Sequence, residues 1–254
     1  MNNSLINLIV PKISLLDYSG KKNKTSFLDF SVMEPPLLKD KILIFAPHPD
    51  DEVLSAGGFI ALAKINKALV KIIIVTDGNK RNLKKKRYKE TLKAVEILGI
   101  KNKEVVFLNY PDGKLKDYRQ NLSKSISQLV VRFKPTIIIS PYPFDTHSDH
   151  KVLSLAVRNI LKELKYNGKI FEYLIHFPRY PQPRGLYENK HLIPPVFLLG
   201  LDNKKRWCQL PLSFEIKKLK TKAISQYKSQ LRFPMVKNLL LSFIKKNELF
   251  YSWR

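Results

Sequence analysis

Five short apolar runs punctuate the chain: KILIFA from Lys41, LVKIIIVT from Leu69, EVVFLN from Glu104, TIIIS from Thr136 and KIFEYLIHF from Lys169. Continuous rather than alternating apolarity over so few residues predicts strands buried on both faces. Between these runs, apolar positions recur at spacings of three and four. RYKETLKAVEILGI from Arg87 predicts a helix that stops at Gly99, and NLSKSISQLVVRF from Asn121 a helix that ends before Pro135. Strand and helix in alternation predict an α/β fold, with right-handed crossovers and a mostly parallel sheet covered by helices on both faces.

The pattern changes after Pro178. FPRYPQPRGLYENKHLIPP is rich in proline and aromatics and predicts an ordered loop covering one edge. LSFEIKKLKTKAISQYKSQL then predicts an amphipathic helix with Ser213 as its N-cap and Glu215 in its first turn. MVKNLLLSFIKKNELF predicts a second apolar-periodic segment, expected to pack on the main sheet rather than on a membrane surface. Neither repeats nor low-complexity linkers divide the chain. The expectation is a single domain over residues 41–254, finished by the late loop and helices, with residues 1–40 as an extension packed on it.

At 254 residues and 44% hydrophobic content the chain can bury a sizeable core. Cys208 is the single cysteine, expected to be a buried structural thiol; nothing points to an oxidising compartment. The N-terminal stretch lacks a positive segment ahead of its short apolar run, which Pro11 interrupts, and is a poor signal peptide. No apolar run approaches the ~20 residues of a membrane span. A cytoplasmic protein is expected. The net charge of +25 suits an anionic partner, whether a phosphate-bearing substrate, a membrane surface or nucleic acid. An AT-rich coding sequence would enrich Lys, Asn and Ile equally well. The densest basic run, Asn79 to Lys89, has no interleaved aromatics and reads as a solvated loop and helix face, so specific nucleic-acid binding is not expected.

Three polar clusters fall at predicted carboxyl ends of strands, where ligands of such sheets bind: PHPDDE after the first, TDG after the second and PYPFDTHSDH after the fourth. Three of the five histidines, His48, His147 and His150, lie in the first and last of these. Neutral imidazole and carboxylate are ligands that zinc accepts, and a catalytic zinc keeps three protein ligands and one open position. His48 and Asp51, three apart at a helix start, can point to one side, and His150 can supply the third ligand. The adjacent Asp50 faces differently and stays available as a base. Glu52 is left for support or capping.

PHPDDE and HSDH, with TDG, RYKETLKAVEILG, LNYPDGKL and LPLSFEIKKLKTKAISQYKSQ in support, resemble the PIG-L/LmbE-like family of zinc-dependent N-deacetylases over roughly Lys41 to Gln230. Ser148 departs from the proline common there. The resemblance implies a Rossmann-like fold and Zn2+, or another divalent ion such as Fe2+, on His48, Asp51 and His150. It implies Asp50 as general base and His147 near the substrate carbonyl, with Asp149 orienting a histidine or capping the helix. By position, Arg87 and Asp112 match residues that hold the sugar; His176 and Arg184 are further candidates for the same pocket. Trp207 and Trp253 read as packing anchors. The implied substrate is an N-acetylated, GlcNAc-type amino sugar in a glycoconjugate, and the positive charge suits a phosphate- or lipid-bearing one and a peripheral membrane contact. Competing readings are a non-catalytic or differently acylated member, or a basic protein binding an anionic glycan, membrane or nucleic acid.

Overall fold

The structure, a computed structural model, describes residues 30–201 and 206–253. The N-terminal stretch weighed above as a signal peptide, and residues 1–29 of the expected extension, lie outside them. All five predicted strands form: β2 Lys41–Ala46, β3 Leu69–Thr76, β4 Val105–Tyr110, β5 Ile137–Pro141 and β6 Lys169–Tyr173. Among the described residues three more join them, β1 Ser31–Val32, β7 Trp207–Pro211 and β8 Asn247–Ser252, in a single sheet ordered β1-β7-β8-β6-β5-β2-β3-β4. Every neighbouring pair is parallel except those of β8, which runs antiparallel to both β7 and β6.

Strand residues alternate between two cores. Ile42, Ile44, Ile72, Ile74, Ile137 and Ile139 face helices α1 (Asp51–Ile65), α2 (Lys84–Ile97) and α6 (Phe214–Ile224). Leu43, Phe45, Ile73, Val75 and Ile138 face α3 (Arg119–Phe133) and α4 (Ser148–Glu163). Both sheet faces are thus covered, which is why the strands read as unbroken apolar runs. Gly99, at φ 86°, follows α2, and Lys134, at φ 52°, caps α3 ahead of Pro135.

The C-terminal third corrects one expectation. The helix opened by Ser213, whose Oγ accepts from Ile216 N at 3.3 Å, stops at Ile224 and is followed by a single turn, α7 (Lys228–Leu231). The segment from Met235 is helical only in α8 (Pro234–Leu241); its NELF end is strand β8, because the gap between β6 and β7 buries this segment on both faces. Trp207, on β7, is fully buried against Tyr142 and Tyr251, and Cys208 beside it is buried. A short α5 (Val196–Leu201) follows the late loop.

In the sheet, β3 lies on one side of β2 and β5 on the other. The chain therefore leaves β2 in one direction and β5 in the other, opening a crevice at their carboxyl ends. PHPDDE and PYPFDTHSDH are its two walls.

Candidate metal centre and active site

The turn from β2 into α1 carries an uncommon backbone. Asp50 sits at φ 122°, ψ −31°, a region that costs a non-glycine residue of order 1–3 kcal/mol. Its neighbours hold it there. Its N–H donates to Glu52 Oε2 at 3.0 Å, and its carbonyl accepts from Val53 N and Leu54 N. Arg87 Nη2 donates to Asp50 Oδ2 at 3.1 Å and to Pro49 O at 2.6 Å. Gly78, from TDG, packs against this turn at φ 57°, where a Cβ would stand 2.9 Å from Pro49.

Two histidines are bound in the same way from opposite sides. His48 Nε2 lies 3.1 Å from Asp149 Oδ2, a carboxylate anchored by Gly113 N and Leu115 N, while Nδ1 faces Asp51 Oδ2 at 3.2 Å. His150 Nδ1 lies 3.1 Å from Asp145 Oδ2, which also accepts from Ile175 N and His176 N. Its Nε2 is buried, 3.1 Å from Asp51 Oδ2, and makes no hydrogen bond. In a neutral imidazole the proton then belongs on the nitrogen facing Asp149 or Asp145, and the lone pairs of His48 Nδ1 and His150 Nε2 turn toward Asp51. A carboxylate behind each histidine and a shared acceptor in front is how metal-ligating imidazoles are oriented. The orphaned Nε2 is the observation that makes this donor set fit a divalent cation.

More donors lie in reach than the three expected. His147 groups with His48 and His150, His176 with Asp51 and His150, and Asp112 and Asp149 with His48, the ligand atoms within 4.8 Å of one another in each group. Asp149 orients His48, and its N–H donates to His147 Nδ1 at 3.3 Å at the start of α4. Asp112 lies 3.4 Å from His48 Nε2 and 3.8 Å from Arg87 Nη1. Arg87 is buried, turned toward Pro49, Gly78 and Asp50. Arg184 is set apart, donating to Tyr180 O and lining a neighbouring cavity of about 460 Å³ with His176.

Electrostatics follow from burial and this crowding. Burial pushes the Asp50 carboxyl up to about 7, against the pull of Arg87. It pushes Glu52, which accepts from Tyr227 O–H, up to about 8. Burial also works against ionised Asp51, but His150 and His48 hold its carboxyl well below the usual range. Burial and the nearby His48 and His150 lower the pKa of His147, and burial and His150 bring His176 down to about 4. A cavity of about 220 Å³ opens over Asp50, Asp51, His48 and His147, with Leu54, Ile175, Val236 and Leu239 forming its apolar wall.

Sequence reasoning assigned nothing to Asp145, although it lies in the quoted cluster; the donors it binds at Ile175 and His176 come from a distant loop that no local pattern reveals. Lys80 and Gln230 also line the cavity without having been anticipated.

A Rossmann-like sheet with histidines and carboxylates gathered at its switch point defines an α/β protein with a centre that could hold a metal ion. Residues 43–161 match the PIG-L family model, described as GlcNAc-PI de-N-acetylase. It is 30% identical over 138 residues to a diacetylchitobiose deacetylase of Thermococcus kodakarensis, covering 50% of this chain and 51% of that protein. It is 30% identical over 150 residues to a probable N-acetyl-alpha-D-glucosaminyl L-malate deacetylase 2 of Bacillus anthracis, covering 54% of this chain and 66% of that protein. The matched stretches therefore span between half and two thirds of these relatives. Among solved structures, an N,N'-diacetylchitobiose deacetylase from Pyrococcus horikoshii superposes with a TM-score of 0.60 at 20% identity, covering 84% of this chain and 83% of that one. A 4-carboxy-2-hydroxymuconate hydratase from Pseudomonas putida also superposes, with a TM-score of 0.60 at 15% identity over 84% of this chain and 96% of that one, so the fold alone does not set the reaction. Among the described residues no helix is long and apolar enough to cross a membrane.

Proposed function

We propose that this protein is a metal-dependent N-deacetylase acting on an N-acetylated, glucosamine-type sugar in a glycoconjugate. The observation that carries the reading is the convergence of His48 Nδ1 and His150 Nε2 on Asp51 Oδ2, with Asp50 held beside them by Arg87. His48, Asp51 and His150 hold the cation, and a nitrogen and oxygen donor set suits Zn2+, with Fe2+ as an alternative. When bound, the cation supplies Lewis acidity toward water and toward an acyl oxygen.

The chain's own groups do the rest. Arg87 ties up Asp50 Oδ2, so the proton taken from water goes to Oδ1. A carboxyl whose pKa lies near neutrality both accepts that proton and passes it to the departing amine. His147, with Nδ1 accepting from the Asp149 N–H, carries its proton on Nε2 as the neutral imidazole its lowered pKa favours, and keeps that proton while donating a hydrogen bond through it to the acyl oxygen. The C–N bond breaks, a C–O bond forms, and water is divided between acetate and the free amine. Asp112 receives sugar hydroxyls, and Arg87 acts on the sugar chiefly through Asp112 and Asp50. His176 and Arg184 line the way to the rest of the conjugate. The names of the relatives support the acetylated glucosamine. The charge of +25 suits a phosphate- or lipid-bearing conjugate and contact with a membrane surface. We place the reaction in the cytoplasm.

The test is acetate release from N,N'-diacetylchitobiose, N-acetylglucosaminyl malate and N-acetylglucosaminyl phosphatidylinositol by cation-loaded protein and its Asp50→Asn variant. The variant should keep its cation and lose about 10²- to 10⁴-fold in turnover. Silence of the wild type on every substrate, with the cation bound, would refute the reading.

A further inference from the structure

Helix α1 is broken. At Ala56 the dihedrals depart to φ −135°, ψ 20°, which separates the first turn, bearing Asp51 and Glu52, from the long buried remainder. A continuous helix would bond Gly58 N to Leu54 O. Here both of these groups are engaged by a buried ion pair. Lys220 Nζ donates to Leu54 O at 2.8 Å; Glu248 accepts from Gly58 N at 2.7 Å and from Phe59 N at 2.8 Å; the two side chains meet at 2.6 Å. Both are essentially closed to solvent. An insertion of side chains into the helical ladder is an identifiable cause of a kink, and at this one Leu54 O, Gly58 N and Phe59 N each have a charged partner.

The glycines of AGG make room for it. A Cβ on Gly57 would stand 3.2 Å from Lys220 Cγ, and one on Gly58 would stand 3.2 Å from Glu248 Cδ and 2.4 Å from Leu212 Cδ2. A buried pair of this kind is a poor source of net stability, because desolvation offsets most of its attraction. It is, however, directional. It fixes where the turn of Asp51 ends and leaves that turn free to take an orientation the rest of the helix does not impose. Tyr227, from the same C-terminal segment as Lys220, grips the turn a second time through Glu52, which in turn holds the Asp50 N–H.

We infer that Lys220 and Glu248 are positioning residues: by splicing the break in α1 they set the angle at which Asp51 and Asp50 meet the two histidines. The inference rests on the proposed cation centre. Lys220→Met, Glu248→Gln and the milder Glu248→Asp, which keeps the charge one methylene short, are compared with Lys245→Met. Lys245 is a second buried lysine, donating to Pro183 O, and touches none of the proposed ligands. Zinc affinity is measured by chelator competition, well below each variant's unfolding temperature, and amide exchange is followed at Gly58 and Phe59. The splice variants should exchange these amides faster and bind zinc about 10- to 100-fold more weakly, with turnover falling in parallel. Lys245→Met should lose stability and keep the wild-type zinc affinity. Should Lys220→Met or Glu248→Gln not fold, Glu248→Asp alone decides. Wild-type affinity in folded splice variants whose Gly58 and Phe59 exchange has accelerated would overturn the inference. A wild type that binds no divalent cation would instead refute the centre itself.

Discussion

Asp145→Asn separates the cation centre from the fold that carries it. Asp145 is wholly buried; its Oδ2 accepts from His150 Nδ1 at 3.1 Å, Ile175 N at 3.0 Å and His176 N at 2.9 Å, and its Oδ1 from His147 N at 2.9 Å. Burial alone would raise this carboxyl, but His150 and the donors around it hold it below its usual value. Asparagine keeps one acceptor. With its oxygen toward the three donors, its NH2 confronts the His147 N–H, which leaves a donor unpaired, and the charge behind His150 is gone. A lost bond to a charged group costs about 1.5–3 kcal/mol and an unsatisfied buried donor about 1–3 kcal/mol, so the cation-free protein should lose about 2.5–6 kcal/mol of stability. His150 Nε2 becomes a weaker donor and is less firmly aimed, which should weaken cation binding about 10- to 100-fold, or ~1.4–2.8 kcal/mol. Denaturant unfolding of the cation-free protein and chelator competition read the two effects separately. An unchanged dissociation constant in a folded Asp145→Asn protein would refute the reasoning that this carboxylate orients a ligand.

Three further outcomes are expected. If Asp50 is the base, it must be ionised to take a proton, so kcat/KM should fall as pH drops through about 7, with a bound cation moving this limb lower; a profile flat across roughly pH 5 to 8 would remove that role. Gly78→Ala forces a left-handed residue, costing about 1–2 kcal/mol, and sets a Cβ 2.9 Å from Pro49 and 3.1 Å from Arg87 Nη1; thermal unfolding and acetate release should both decline, and neither changing would contradict the packing described. Burial raises the Cys208 thiol to about 12, so alkylation near pH 8 should be slow in the native protein and fast after unfolding; rapid native labelling would contradict the β7–β8 packing.

Strands β2 to β6 were legible because a strand covered on both faces has no polar alternation to obscure it, and their alternation with helices set the switch point. Strand β8 was not, since Phe250 stands seven residues after Phe243, on the helical spacing, and only the open slot between β6 and β7 makes NELF extended. Of the candidate site, His48, Asp50, Asp51, His147 and His150 stand in two compact motifs that the fold brings together. Asp145 stands in the second of these motifs, but its role is invisible there because the backbone donors it binds come from Ile175 and His176. Lys220 left a signal that went unread: it lies four residues after Ile216, on the apolar stripe of α6, and a charge on that stripe demands a buried partner. Nothing local pairs it with Glu248.

The place of β8 bears on the order of events during synthesis. His48, Asp51 and His150 have all been made within the first turn of α4, yet Glu248 lies on a strand that must slide between β6 and β7 from the far end of the sequence. A growing chain thus carries its whole set of cation donors well before it carries the clasp that would steady them. Until that strand is delivered, β6 and β7 each present a bare edge, the kind of surface on which an unfinished chain pairs with a stranger.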